Sequence, residues 1–196
     1  MAPHDERSEV SEDAMVVDAE IEAYLNHRHR HRRRCDSFSG VDNVGTISAS
    51  LMTYASIQVL KPDLVINAGT AGGFKAKGAC IGDVFLASDV AFHDRRIPIP
   101  AGKLSTGDSL DMTPQDEASI VANEATIKDM EGAAMAYVAD LLSVLAIFIK
   151  AVTNIVDGGK PTAEEFLHNL AVVAAALDQA ATQVVDYING KCLSEL

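Results

Sequence analysis

The segment Leu64–Ala68, LVINA, is an unbroken apolar run that leads straight into GTAGG at Gly69–Gly73. Lys61-Pro62-Asp63 precedes it and is read as the stop of one element and the start of the next. A continuous apolar run of this kind is buried on both faces, which calls for a parallel strand covered by helices. A Gly-rich turn after such a strand is a ligand-facing edge in an open α/β sheet. Its successive N–H groups could hold an anion or a hydroxyl-rich group, although the same glycines also serve a plain tight turn. Two more apolar segments read as strands: Val84–Phe92 and Leu145–Val152, the latter ending at Thr153-Asn154. Helical spacing lies between and after them. Val41–Leu60 carries Val44, Ile47, Leu51, Ala55 and Leu60. Ile127–Leu142 ends in a helix with Ala133, Ala134, Tyr137, Val138 and Leu141 on one face. Pro161–Asn189 aligns Phe166, Leu170, Val173, Leu177, Ala181, Val184 and Ile188, with Gly190 as its C-terminal cap. Strands alternating with helices predict an α/β fold with a mainly parallel central sheet.

Met1–Ser39 is a separate compositional block. It begins acidic, passes through a mixed stretch at Ala14–Leu25 and ends in HRHRHRRR at His27–Arg34. Having few core residues, it is expected to be disordered or loosely helical, with the domain beginning at Gly40. The basic run is read as a solvated tail, and its arginines repel the cation that its alternating histidines could otherwise bind. No metal site or cofactor is expected. The net charge of −12 argues against general nucleic-acid binding, which needs a basic face. No apolar run reaches the roughly 20 residues of a membrane span. Cys35, Cys80 and Cys192 form no paired framework, which suits a reducing compartment. The opening MAPHDERSEVSEDAM lacks the apolar core of a secretory signal, so a cytoplasmic protein is expected.

Two motifs carry chemistry. KDMEGAA at Lys128–Ala134 places Glu131 before a helix start of small residues, and KAVTNIVDG at Lys150–Gly158 places Thr153-Asn154 at a strand end. Cleaving an N-ribosidic bond needs a carboxylate on the ribose hydroxyls, an acid at purine N7 and an activated acceptor. Glu131 fits the first role; as a first-turn carboxylate it would also favour the helix dipole. Asn154 can donate a hydrogen bond to N7 but cannot transfer a proton, and from its residue type and place it reads first as a turn residue. Asp157 is read as shaping a turn. His93-Asp94-Arg95-Arg96 could supply charge to a phosphate or form a solvated turn.

Together with GVDNVGTISASLMTYASIQ, KPDLVINAGTAGGF, GDVFLASDVAFHDRRIPIP, KLSTGDSLDM and KPTAEEFLHNL, these motifs resemble the plant-type 5'-methylthioadenosine/S-adenosylhomocysteine nucleosidases of the nucleoside phosphorylase superfamily. The resemblance runs from about Gly40 to Leu196 and implies a three-layer α/β/α fold. It implies hydrolysis of the adenine–ribose bond of methylthioadenosine, within methionine salvage, by a homodimer or a dimer with a full-length relative. It implies that Thr70, Ala71 and Gly72 line the nucleoside pocket, and that Leu110 and Asp111 lie in the adenine-contacting segment. Asp129, Met130 and Glu131 would hold ribose, and Lys150 and Thr153 would lie near the attacking water and substrate. Asn154 stands where the family has its catalytic Asp. Against the family pattern, the opening strand with its water-activating Glu is not found in Met1–Ser39. Only Ala101-Gly102-Lys103 join IPIP to STGDS. The chain therefore reads as a truncated nucleosidase lacking its first strands and impaired in activity. The alternative is a catalytically inactive nucleoside-binding or storage-type relative.

Overall fold

The computed structural model describes residues 15–17, 44–94 and 103–195. Seven strands form one sheet: β1 (Met15–Val17), β2 (Leu64–Gly73), β3 (Val84–Ala87), β4 (Val90–Phe92), β5 (Leu104–Thr106), β6 (Ile127–Asp129) and β7 (Leu145–Ile155). Along it the order is β3-β7-β2-β6-β5-β4, with β1 added to β2. Four of the six pairings are parallel; β2 with β6 and β3 with β7 are antiparallel. Only Ser88-Asp89 separate β3 from β4, yet these strands end opposite ends of the path. The sheet must therefore curl to bring its two ends together. Val84–Phe92 is thus two short strands serving opposite edges, where the sequence suggested one.

Among the described residues, four α-helices cover the sheet: α1 (Thr46–Leu60), α2 (Pro114–Ala122), α3 (Gly132–Leu141) and α4 (Thr162–Ile188). Leu64, Ile66 and Ala68 point to one face of β2 and pack with Val173, Leu177 and Ile188 of α4. Val65 and Ala71 point to the other face, against Ala49 and Ile57 of α1 and Ala134 and Met135 of α3. This two-sided burial explains why the LVINA run does not alternate with polar residues. The result is the expected mixed α/β architecture with helices on both faces. The long helix buries the stripe its spacing predicted, and Gly190 follows it in a left-handed conformation at φ 76°.

Three expectations are corrected. GTAGG is not a turn: Gly69–Gly73 continues β2, paired to β7 as far as Ile155 and to β6 at Gly72 and Gly73. A Cβ on Gly73 would lie 2.8 Å from both Ala79 Cβ and Val152 Cγ1, so the glycine serves close packing within the sheet. Second, Met15–Val17 adds a parallel strand to β2, in register Met15↔Val65, within the block expected to supply none. Three residues suffice because β2 presents an open run of backbone groups there. The remainder of that block, including the His/Arg run, and Arg95–Arg96 lie outside the described residues. Third, the helix predicted over Val41–Leu60 buries Ala49, Thr53 and Ile57, while Val44, Ile47, Leu51, Ala55 and Leu60 are exposed. Tyr137 and Leu141 of α3 are exposed as well.

Candidate active site

Parallel β2 and β7 place their C-terminal ends side by side, where α/β sheets hold ligands. The register breaks there. Ala71 faces Val152 but Gly72 faces Asn154, so Thr153 is an extra residue on β7. Such a bulge bends the strand and re-aims its side chains. Thr153 Oγ1 donates between Ala71 O at 3.3 Å and Asn154 Oδ1 at 3.1 Å. A Cβ on Gly72 would fall 2.6 Å from Val156 Cγ1 and 3.0 Å from Asn154 Nδ2, so only glycine allows this approach. Asn154 is a buried strand residue, which excludes the turn role. Its Nδ2 has no hydrogen-bond partner among the described residues.

The peptide groups on either side of Asn154 are fixed from α4. Ile155 N donates to Glu165 Oε2 at 2.7 Å, and Asn169 Nδ2 donates to Thr153 O at 2.9 Å. Asp157 accepts from the amides of Lys75 and Ala76 at 2.7 and 2.8 Å, the turn-shaping role expected of it.

On the other wall, β6 delivers Asp129 to the start of α3. Asp129 Oδ1 accepts from Thr106 Oγ1 at 2.6 Å, and Oδ2 accepts from Gly132 N at 2.9 Å. Lys150 Nζ lies 3.0 Å from Oδ2, with both side chains almost wholly buried. Asp129 is thereby a fixed post for the first turn of α3. Glu131 sits at the N-cap of α3 but makes no capping bond there; its Oε1 accepts from Gly45 N, at the start of α1, at 2.9 Å. Asp108 takes the next α1 amide, Thr46 N, at 2.6 Å. Two carboxylates from distant loops thus meet the positive end of α1.

Lys128 is the third feature of this wall. It is 4% exposed, and its ammonium donates to the carbonyls of Ser109, Leu110 and Asp111 at 2.9, 3.1 and 3.1 Å. Burial lowers its pKa from the ordinary 10.5. His93 is buried beside Ser105 (Nδ1 to Oγ 3.2 Å), and its pKa is lowered from 6.5 by burial and then by the charge of Lys128. Asp94 accepts from Asp108 N at 2.9 Å. These two residues of the HDRR cluster are therefore committed to holding the loops that follow β4 and β5.

These walls enclose a cleft of about 370 Å³ counted out to its open mouth. Nine of the eleven residues singled out from the sequence line it: Thr70, Ala71, Gly72, Leu110, Asp129, Met130, Glu131, Thr153 and Asn154. Two do not. Lys150 lies behind Asp129, and Asp111 contributes its carbonyl to Lys128. Lys128, Val156, Thr162 and Phe166 line the cleft without having been singled out. Phe166 carried only a core signal, whereas Lys128 was visible as the first residue of KDME. The helix α2 was also missed, although Thr113-Pro114-Gln115-Asp116 spells its capping box: Thr113 Oγ1 accepts from Asp116 N at 3.2 Å, and Thr113 N donates to Asp116 Oδ2 at 2.9 Å. The Thr113 hydroxyl, which donates to Asp116 Oδ2 at 2.7 Å, and then the Thr113 amide lower the Asp116 pKa. Among the described residues, no group of His, Cys, Asp and Glu is placed to hold a metal ion.

The curled mixed sheet, helices on both faces and a carboxylate-bearing cleft at the strand ends define a phosphorylase-type α/β protein. The family model for the phosphorylase superfamily matches residues 29–124 and 96–188. A 5'-methylthioadenosine/S-adenosylhomocysteine nucleosidase of Arabidopsis thaliana is 59% identical over 82% of this chain and 73% of its own length. A 5'-methylthioadenosine nucleosidase of the same plant is 60% identical over 82% of this chain and 70% of its own. The apo structure of an Arabidopsis thaliana 5'-methylthioadenosine nucleosidase superposes with a TM-score of 0.78 at 59% identity, covering 83% of this chain and 77% of that one. The chain belongs to the phosphorylase superfamily and, within it, to the plant methylthioadenosine/S-adenosylhomocysteine nucleosidase family.

Proposed function

We propose that the cleft binds 5'-methylthioadenosine, and S-adenosylhomocysteine with its larger 5' substituent, and hydrolyses the adenine–ribose bond slowly. The observation that carries this is Asn154 Nδ2, a buried N–H donor without a partner among the described residues, in a cleft that also holds Glu131. An unpaired buried amide costs about 1–3 kcal/mol, which a ligand acceptor recovers. Purine N7 is such an acceptor. Glu131 would take the ribose hydroxyls, with Met130 as the apolar wall and Thr70, Ala71 and Gly72 as the floor. Leu110 would bound the base, backed by Asp111 through its carbonyl on Lys128, and Thr153 would face the reacting centre. Asp129 and Lys150 would act from behind, holding the helix start that carries Glu131. The lining side chains must draw back to admit a whole nucleoside.

Departure of adenine is where the site is weak. Asn154 can stabilise N7 only by donating a hydrogen bond, because an amide has no proton to give at neutral pH. Among the described residues, the two carboxylates lining the cleft are Asp129, already ion-paired, and Glu131, which is bound to Gly45 N, so neither is placed to activate water. Loss of one acid/base group lowers turnover by about 10²–10⁴-fold. The same two facts favour the second reading, a nucleoside binder without turnover.

The test uses purified protein with methylthioadenosine, with and without phosphate, following adenine release and binding together. Binding with adenine release about 10²–10⁴-fold below ordinary enzyme rates is expected. Binding with no release establishes the inactive binder, and acceleration by phosphate would replace hydrolysis with phosphorolysis. The 7-deaza analogue, with C–H in place of N7, should bind more weakly. Equal affinity would mean that Asn154 does not donate to the base.

The exposed stripe of Ile47, Leu51 and Tyr54 on α1, with Tyr137 and Leu141 on the adjoining α3, supports a homodimer, or a dimer with a full-length relative, formed through this face. No described helix is long and apolar enough to cross a membrane. A cytoplasmic role in methionine salvage belongs to the same reading: the widely spaced cysteines suit a reducing compartment, and methylthioadenosine is the substrate named for the relatives. In domain terms, residues 40–196 form the nucleosidase-like unit and residues 1–39 an appended segment touching it through β1.

A further inference from the structure

We propose that Lys128 is a positioning residue that sets the base-binding end of the cleft by clamping the Ser109–Asp111 backbone. This rests on the nucleoside reading of the cleft. Lys128 lies on β6, in register with Gly72 of β2, so its backbone is part of the rigid sheet. Its side chain crosses to a loop that has no strand or helix of its own between β5 and α2. There the ammonium finds three consecutive carbonyls at hydrogen-bond distance, one for each of its three protons. Only the charged form has three protons to give, so the geometry is that of a lysinium ion.

That ion is buried and, among the described residues, forms no ion pair. Burying an ammonium against neutral carbonyls, with Asp116, Asp111 and Asp129 acting only from beyond ion-pair distance, is a costly way to pack a loop, which an apolar side chain would do without desolvation. What the lysine adds is direction. It turns three successive C=O groups toward one point and so fixes the peptide planes of the loop. Leu110 lies in the middle of the clamped run, and both Leu110 and Lys128 line the cleft. The clamp therefore acts on the wall opposite the bulge that carries Asn154, where a flat heterocycle would be gripped. Glu131, which would hold the sugar, is tied instead to α1 through Gly45. Base and sugar ends are thus held by separate supports, and a lesion at Lys128 should affect them unequally.

The experiment measures the affinity of adenine and of 5-methylthioribose, separately, for the wild-type chain and for Lys128→Met, together with amide hydrogen exchange over residues 109–112. Lys128→Met keeps the length of the side chain and removes all three donors. Adenine affinity should fall at least tenfold, methylthioribose affinity should stay within twofold, and exchange in the loop should accelerate at least tenfold. Should Lys128→Met not fold, Lys128→Gln, which retains two donors, should show the same order with smaller shifts. Equal weakening of both ligands would assign Lys128 a general structural role and overturn the proposal, as would unchanged adenine affinity or unchanged exchange. Failure of the wild-type chain to bind either ligand would instead defeat the nucleoside reading itself.

Discussion

Replacing Lys150 with Met should unseat the catalytic wall by leaving a buried charge alone. Lys150 and Asp129 are 3.0 Å apart and their side chains are 2% and 1% exposed. Removing one partner of a buried pair costs about 3–5 kcal/mol, mostly the penalty of the uncompensated charge left behind. Asp129 would keep its bonds from Thr106 Oγ1 and Gly132 N, so the lower end, about 3 kcal/mol, is expected. That is a large part of the roughly 5–15 kcal/mol of a typical domain. With a urea slope of about 1–3 kcal/mol/M, the unfolding midpoint at pH 7 should fall by roughly 1–3 M. The double variant Asp129→Asn, Lys150→Met leaves no uncompensated charge at this pair and should recover much of the loss. Methylthioadenosine binding should fall in the single variant even where it is folded, because Asp129 anchors the turn that presents Glu131. A loss under about 1 kcal/mol, or a double variant no more stable than the single one, would refute the uncompensated-charge account.

Other outcomes follow from particular contacts. Gly107→Ala would drive its Cβ into the His93 imidazole, and overpacking of this kind should cost about 1–3 kcal/mol, read from thermal unfolding. Because burial and Lys128 lower the His93 pKa, the folded chain favours neutral imidazole. Its stabilising contribution is complete above about pH 6.5 and is lost as pH falls toward the lowered folded value, so the urea midpoint should drop between pH 7.5 and 5.5. His93→Gln should lessen that drop, and an unchanged pH slope would show that another group is responsible. Leu51→Glu, at a position 66% exposed, should leave the folded monomer intact while converting dimer to monomer in sedimentation. A wild-type chain that is already monomeric would remove the proposed interface.

Much of this protein was legible in the sequence because its strongest signals are local. LVINA marked the central strand, the spacing from Phe166 to Ile188 marked the long helix, and the GTAGG, STGDSLDM, DME and TNIVD motifs together marked nine residues that the fold brings into one cleft. The missed α2 was local too: its capping box and N1 proline stood in the sequence unread. Other features were not local. GTAGG carries every sign of a turn, and only the neighbours of β2 on both sides hold it extended. Val84–Phe92 has one strand's pattern, and only closure of the curled sheet divides it. The apolar spacing of α1 marked a helix but could not say that Ala49, Thr53 and Ile57 would be the residues turned inward.

The sequence by itself determined the family, the α/β class and most of the residues that line the cleft, because these are written in motifs and in periods of two and 3.6 residues. It also placed an amide at position 154. Tertiary structure alone decided what those residues are free to do. Asp129 is spent on Lys150 and a helix start, Glu131 is tied to the end of another helix, and Asn154 keeps an N–H without a partner among the described residues. The physical reason is that availability depends on which distant donors and acceptors the fold brings within 3 Å. Residues 86 positions apart, such as Gly45 and Glu131, leave no trace of that meeting in either one's local sequence.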